Sequence, residues 1–385
     1  MKSGYSVLWA IAAVFLSSCS SVYFFTIETQ QPAPVTFPGG RPNIVIVNNA
    51  LPQPDSIGFF SHTFIPKSKG ENINSITPPK IIDLKDLKES NDKSIAYDTI
   101  QTGLRLSPGF PDSLLQLGTQ VFAKRINESG FFSDVLLYDG NLRQDNEWLK
   151  TSPISGDVIR NICREADAQA IISIDKLLFY YTQDLHPGYY NTMNVTFAGI
   201  LTGTCTVYLE ERAGRLTSVP FKDTIADHLV YYEALDSLMY FRETPEYFLK
   251  ELTLMSAEKI AEYFIPTWEQ TDRILHTGLN ARMKDALAYS KKGLWKDALK
   301  IWMTLFESEK KAKNKAKLAG NIAVAWEMQD DLSSAMEWLI KSEELYKTAY
   351  KDIPEKDVEW LHFYKSELDR RIKNDEILDL QYSGE

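Results

Sequence analysis

Two stretches in the last third of the chain repeat one another, and that repeat constrains the fold more than any other feature. Ala286, Tyr289, Gly293, Trp295 and Ala298 lie in one stretch; Ala323, Trp326, Asp330, Leu332 and Ala335 lie in the other. Taken in order, the two sets match pair by pair at one constant offset, the distance from Ala286 to Ala323. A fixed period of this size marks stacked supersecondary units, each too small to bury its own apolar face alone. Small side chains at Ala286 and Ala323 let paired helices approach closely. The aromatic at Tyr289 or Trp326 fills the layer, and Gly293 or Asp330 makes the turn. Apolar spacing is helical throughout 271–385, and a third helix over about 355–373 is expected to cap the stack.

This pattern resembles tetratricopeptide repeats, with a period a few residues longer. The resemblance implies an all-α domain over 271–385 and a groove suited to a protein partner. A plain helical bundle is the alternative.

The N-terminus specifies an address. Lys2 and the apolar run Leu8–Leu16 over residues 1–18 read as a secretory signal, too short to span a bilayer, which takes about 20 apolar residues. The run ends in Leu16-Ser17-Ser18-Cys19. This is similar to the lipobox of bacterial lipoproteins, and it implies cleavage before Cys19 and lipid on its sulfur. Two or three acyl chains on one residue give stable anchoring. Residues 19–40 then read as the lipidated cysteine and a tether, with prolines at 32, 34 and 38. No acidic cluster follows Cys19, unlike the surface-displayed lipoproteins of Bacteroides-type bacteria. Outer-membrane anchoring on the periplasmic face is therefore expected.

Between these ends, strand and helix signals alternate. Ile44–Val47 reads as a buried strand, and 52–111 as a long, partly ordered insertion. A helix is expected over 114–132, a strand over 134–138, a helix over 158–166, and strands over 170–181, 194–211 and 216–229. A helix follows over 244–264, with Pro245 in its first turn. That order predicts an α/β (α+β) layer domain with a mixed sheet over 41–270. The element order resembles the α/β domain of the curli-secretion lipoproteins and the N-terminal domain of the Tol propeller protein. With the helical repeats, it resembles a family of lipoproteins from Bacteroides-type bacteria, a likeness that implies no particular activity.

Chemistry-bearing motifs are sparse. There is no phosphate-binding glycine loop and no Gly-x-Ser-x-Gly elbow, and the five histidines are scattered with no zinc-ligand spacing. No catalytic residue, metal or cofactor is therefore expected. The formal charge of −10 argues against nucleic acid, since the run Lys310–Lys317 is the one basic cluster. Cys163 and Cys205 remain after Cys19; they are either a helix-to-sheet disulfide or two buried thiols. Ser56 and Thr99 lie in Asp-Ser/Thr-aliphatic triplets that resemble the O-glycosylation sequon of Bacteroides-type bacteria. The expected function is a non-enzymatic, lipid-anchored scaffold or regulator of the envelope, binding a protein on its helical repeats, its oligomeric state open. The alternatives are an accessory part of an export or assembly machine, and a glycan-binding lipoprotein. Against an export pore stands the expectation that the strands over 194–229 are too short for pore hairpins.

Overall fold

The structure, a computed structural model, describes residues 22–66, 97–140, 142–143, 145–188, 192–231, 234–278, 281–349 and 355–383. In chain order the elements are β1 (Val22–Gln31), β2 (Asn43–Asn48), β3 (Phe59–Pro66), β4 (Tyr97–Gly103), α1 (Phe110–Glu128) and β5 (Asp134–Tyr138). Then come α2 (Gly156–Ala166), β6 (Ala170–Pro187), β7 (Met193–Leu209), β8 (Gly214–Tyr231), α3 (Ala234–Ala261) and β9 (Thr267–His276). The chain closes with α4 (Ala281–Ser290), α5 (Trp295–Ser308), α6 (Ala312–Glu327), α7 (Leu332–Ala349) and α8 (Glu355–Ser383). Two compact units result: residues 33–265, and residues 22–32 with 266–383.

The first unit is an α/β layer built on a seven-stranded mixed sheet. β2 lies between β5 and β6 and runs parallel to both, Ile44 facing Val135 on one side and Ala170 on the other. β6 continues past the end of β2 and pairs in parallel with β3, which pairs antiparallel with β4. On its other edge β6 pairs antiparallel with β7, and β7 with β8. A central strand covered on both faces needs apolar residues in unbroken succession. β2 supplies them: Ile44 and Ile46 enter one core, Val45 and Val47 the other. The larger core holds Leu114, Phe122 and Ile126 of α1 with Leu249 and Leu252 of α3. α2 places Ile159, Ile162 and Cys163 against Val45, Val47 and Ile171 on the opposite face.

Three expectations for this unit change. Part of the supposed insertion over 52–111 is sheet, because β3 and β4 complete the upper edge beside β6. β6, β7 and β8 run 18, 17 and 18 residues, so the meander is not short. Its inward side chains, such as Val195, Phe197 and Leu201, are buried in the core shared with α1 and α3. α3 starts at Ala234 rather than near Thr244, so Pro245 lies inside the helix and not in its first turn.

The second unit is a stack of helical hairpins, α4–α5 and α6–α7, followed by α8. Ala286, Ala298, Ala323 and Ala335 are fully buried at matching positions of the two hairpins. Gly293 and Asp330 both take left-handed backbone, with φ of 74° and 65°, to make the turns. The matching aromatics behave differently: Trp326 is half-buried against the core, whereas Tyr289 is exposed. The expected α/β domain followed by helices is thus the architecture found.

The tether is not found. Val22–Gln31 pairs antiparallel with β9, from Val22 opposite His276 to Gln31 opposite Thr267. Tyr23 and Phe25 of this ribbon pack onto the helical core, and Phe25 lies 5.6 Å from the Trp295 ring. Beyond Gln31, Val35 and Phe37 are buried in the α/β unit, and Val35 donates its N–H to the Tyr263 carbonyl. The prolines of 32–38 lie between two anchored segments, so they mark a connection inside the fold.

Candidate functional site

α2 covers only the base of the second sheet face, and farther along the strands that face carries a row of polar side chains. In register across five strands stand Gln101 of β4, His62 of β3, Asp184 of β6, Thr196 of β7 and His228 of β8. His62 Nδ1 lies 2.7 Å from Asp184 Oδ1, and Thr196 Oγ1 lies 3.1 Å from His228 Nδ1. Aromatic contacts flank the row: Phe60 with Tyr180 at 5.7 Å, and Phe64 stacked on His186 at 3.7 Å. Three of the five histidines, distant in sequence, therefore meet on one face.

A histidine held by a carboxylate is a competent proton acceptor when a hydroxyl reaches its other nitrogen. In this row the hydroxyl of Thr196 belongs to His228 and the carboxylate of Asp184 to His62. The row is two separate cross-strand pairs, each of the kind that stabilises a sheet by a few tenths of a kcal/mol to ~1 kcal/mol. Among the described residues no group of three His, Cys, Asp or Glu is placed to hold a metal ion. Asp227 and His228 point to opposite faces, as neighbours on a strand must.

The carboxyl ends of the parallel strands are where open α/β sheets bind ligands. Here the chain fills that position itself. Asn49, following β2, donates to the Ser152 carbonyl at 2.7 Å and to Asp175 Oδ1 at 3.0 Å, and Ser173 donates to the same oxygen at 2.6 Å. All three of Asn49, Ser173 and Asp175 are buried. Arg143 fixes the covering loop through Asp145 and the carbonyls of Glu147 and Lys150. Tyr208 accepts the Ile154 N–H at 3.3 Å, and burial, then the Asp175 charge, push its hydroxyl pKa up.

In the helical unit the strongest polar network joins β9 to α6 and α8. Arg273 Nε and Nη2 donate to Glu327 Oε2 and Oε1 at 2.8 and 2.7 Å, with side-chain exposures of 1% and 0%. Tyr364 donates to Glu327 Oε2 at 2.9 Å, and its ring lies 4.9 Å from the Arg273 guanidinium carbon. Burial, then the Glu327 carboxylate, holds the Tyr364 hydroxyl well above its ordinary pKa, so it remains a donor. Asn321 of α6 accepts the His276 N–H at 2.7 Å and donates to its carbonyl at 2.8 Å. Burial, then the nearby charge of Lys317, lowers the His276 pKa to about 4. The ribbon thus lies across α6 and α8, the alternate helices that would line the groove of a tetratricopeptide stack.

Of the residues singled out by sequence, Cys19 lies outside the described residues. Cys163 and Cys205 are free, which corrects the disulfide alternative. Cys163 belongs to the core under α2 and Cys205 to the core under α1 and α3, so the sheet separates them. Burial, then the charge of Glu210, raises the Cys163 pKa to about 11; burial, then Asp175, raises Cys205 farther. Ser56 lies in an exposed turn and Thr99 is exposed on β4, so both sequons are accessible. In the run Lys310–Lys317, the backbone N–H groups of Lys310 and Lys311 bind the Glu309 carboxylate at the start of α6. His62, Asp184, Thr196 and His228 gave no sequence signal, because their grouping depends on strand register.

These features define a class: a two-part chain, a half-covered α/β sheet with a closed ligand edge, plus a helical-hairpin stack clasped by its own β-ribbon. The chain belongs to the family described as a domain of unknown function, DUF8603, whose model matches residues 42–276. A second model, domain of unknown function DUF6340, matches residues 284–370. No curated protein matches the chain. Among solved structures, the crystal structure of a Xanthomonas campestris protein of family DUF330 is similar over 61% of this chain and 90% of that one, at 9% identity and a TM-score of 0.24.

Proposed function

We propose that this protein is a non-enzymatic lipoprotein of the DUF8603 family, held at the periplasmic face of the outer membrane by lipid on Cys19. On this reading it acts as a scaffold or regulator that binds another envelope protein through its helical stack. One observation carries it. A helix of a repeat stack ordinarily turns a polar face to solvent. α8 instead exposes Phe363, Ile377 and Leu380, at 43%, 40% and 44%. At 100° per residue these three fall within about 100° of one another; Ile377 and Leu380 are neighbours on that face, and Ser366, Arg370 and Lys373 separate them from Phe363. Exposed apolar side chains with charged ones among them suit the amphipathic helix of a partner. The ribbon already lies on α6 and α8, so the partner surface is this exposed side of α8 rather than the groove expected from sequence.

The test is photocrosslinking in living cells from position 363 or 377, compared with position 180 on the open sheet face. One envelope protein captured from α8 and not from the sheet supports the reading. Capture only from the sheet face, or no capture from α8, contradicts it.

A further inference from the structure

The end of the ribbon where β1 begins carries exposed groups that the fold of the helical unit does not use. Phe24 is 64% exposed on the ribbon's outer side. On the inner side of the same end, Lys291 Nζ sits 4.2 Å over the Tyr23 ring, and Phe25 meets Trp295. These contacts bring the α4–α5 turn to the ribbon end. That turn reads Lys291-Lys292-Gly293-Leu294, exposed at every residue, with Leu294 at 44% and Lys296 exposed just beyond. One exposed aromatic on the ribbon's outer side, and one aliphatic and three lysines in and beside the turn, therefore lie at the same end, in a chain whose formal charge is −10.

The chain outside the described residues says what this end faces. Cys19 precedes Val22 by three residues, which span at most about 11 Å even when fully extended. If Cys19 carries lipid, the ribbon end lies against the headgroups, with no tether to hold it away. Aromatic and aliphatic side chains with lysines among them suit that interface: apolar groups enter the acyl boundary and ammonium groups meet phosphates.

We propose that Phe24 and the Lys291–Leu294 turn form a lipid-facing surface that seats the helical unit end-on upon an anionic phospholipid bilayer. The proposal rests on the lipid-anchor reading of Cys19 and deepens it. Each lysine near an anionic surface contributes a factor of about five in local association. The anchor fixes position, and the patch fixes orientation. Phe24 and Gln30 are six residues apart along β1, about 20 Å, so the far end of the ribbon stays in water. There Gln30 donates to the Tyr382 hydroxyl, and Leu380 is exposed nearby on α8.

The test uses the mature chain, Cys19 to Glu385, coupled through Cys19 to a maleimide lipid in phosphatidylcholine vesicles with or without phosphatidylglycerol. Cys163 and Cys205 are buried and do not compete for the coupling. Single reporters Phe24→Trp, Leu294→Trp and Leu380→Trp are each read, as the difference from the parent chain, for quenching by lipids brominated in the acyl chain. The expected result is at least about twofold loss of the added fluorescence at 24 and 294 and little loss at 380, strongest with phosphatidylglycerol. Lys291→Gln with Lys292→Gln is expected to weaken the phosphatidylglycerol-dependent part by an order of magnitude or more. No quenching at 24 and 294, or equal quenching at 380, overturns the proposal while leaving lipid anchoring intact. Coupling is chemical, so acylation in cells is read separately. A membrane-extracted chain without acyl mass on Cys19 overturns the lipid-anchor reading and the proposal with it.

Discussion

Replacing Glu327 by alanine is expected to destabilise the helical unit more than any other single side-chain truncation in it. The carboxylate is wholly buried and accepts two bonds from Arg273, one from Tyr364 and a longer one, at 3.4 Å, from Arg371. Removing it leaves a guanidinium that is 1% exposed facing a void, with Thr271 Oγ1 and the Asp272 carbonyl as its remaining acceptors. Breaking a buried pair in this way costs about 3–5 kcal/mol, most of it the uncompensated charge. With a urea dependence of about 2 kcal/mol per molar, the midpoint falls by about 2 M. Tryptophan fluorescence is the natural assay. Among the described residues, Trp268, Trp295, Trp302, Trp326, Trp338 and Trp360 lie in the helical unit, and Trp148 lies in the α/β unit. The triple variant Arg273→Met, Glu327→Leu and Tyr364→Phe removes both charges and the hydroxyl that would lose its acceptor, and is expected to return to within about 1 kcal/mol of the parent. A Glu327→Ala cost below about 1 kcal/mol, or no recovery in the triple variant, would contradict this reading of the network.

Three further outcomes follow from the same structure. His276 has a folded pKa of about 4 against an ordinary 6.5. Its neutral form is favoured on folding, so its contribution is complete above pH 6.5 and is lost as pH falls from 6.5 towards 4, by about 3 kcal/mol in all. Urea midpoints at pH 7 and pH 5 should show about 2 kcal/mol of that loss, and His276→Phe should flatten it; an unchanged slope would sink the assignment. Gly203→Ala places a methyl against the Lys176 carbonyl and the Phe221 ring, and should lower the stability of the α/β unit by about 1–3 kcal/mol in thermal unfolding; a neutral result would contradict the packing of β6 on β7 at the bulge. Cys163 and Cys205 should be silent to thiol reagents in the native protein and react together on unfolding, with dithiothreitol leaving the melting curve unchanged; a reductant-sensitive transition would argue for a bridge.

Elements with their own internal signal were legible in the sequence. The unbroken Ile44–Val47 run announced a doubly covered strand, and the matched Ala286/Ala323 and Gly293/Asp330 positions announced two hairpins with left-handed turns. What escaped was pairing between distant segments. β1 read as a tether because the prolines after Gln31 dominate its neighbourhood, whereas its partner β9 lies more than two hundred residues away. The polar row His62–Asp184–Thr196–His228 is set by register across β3, β6, β7 and β8, and a slip of one residue in any strand would scatter it. Arg273 and Glu327 likewise carry no sequence signal. Only the placement of β9 upon α6 and α8 makes their burial possible, and such placement has no local sequence signature.

Lipid on Cys19, as proposed, is read out by the intact mass of the protein extracted from membranes. The predicted species begins at Cys19 and carries the added mass of a diacylglycerol with or without a third acyl chain. A chain that begins at any other residue, or one that begins at Cys19 without acyl mass, would contradict it.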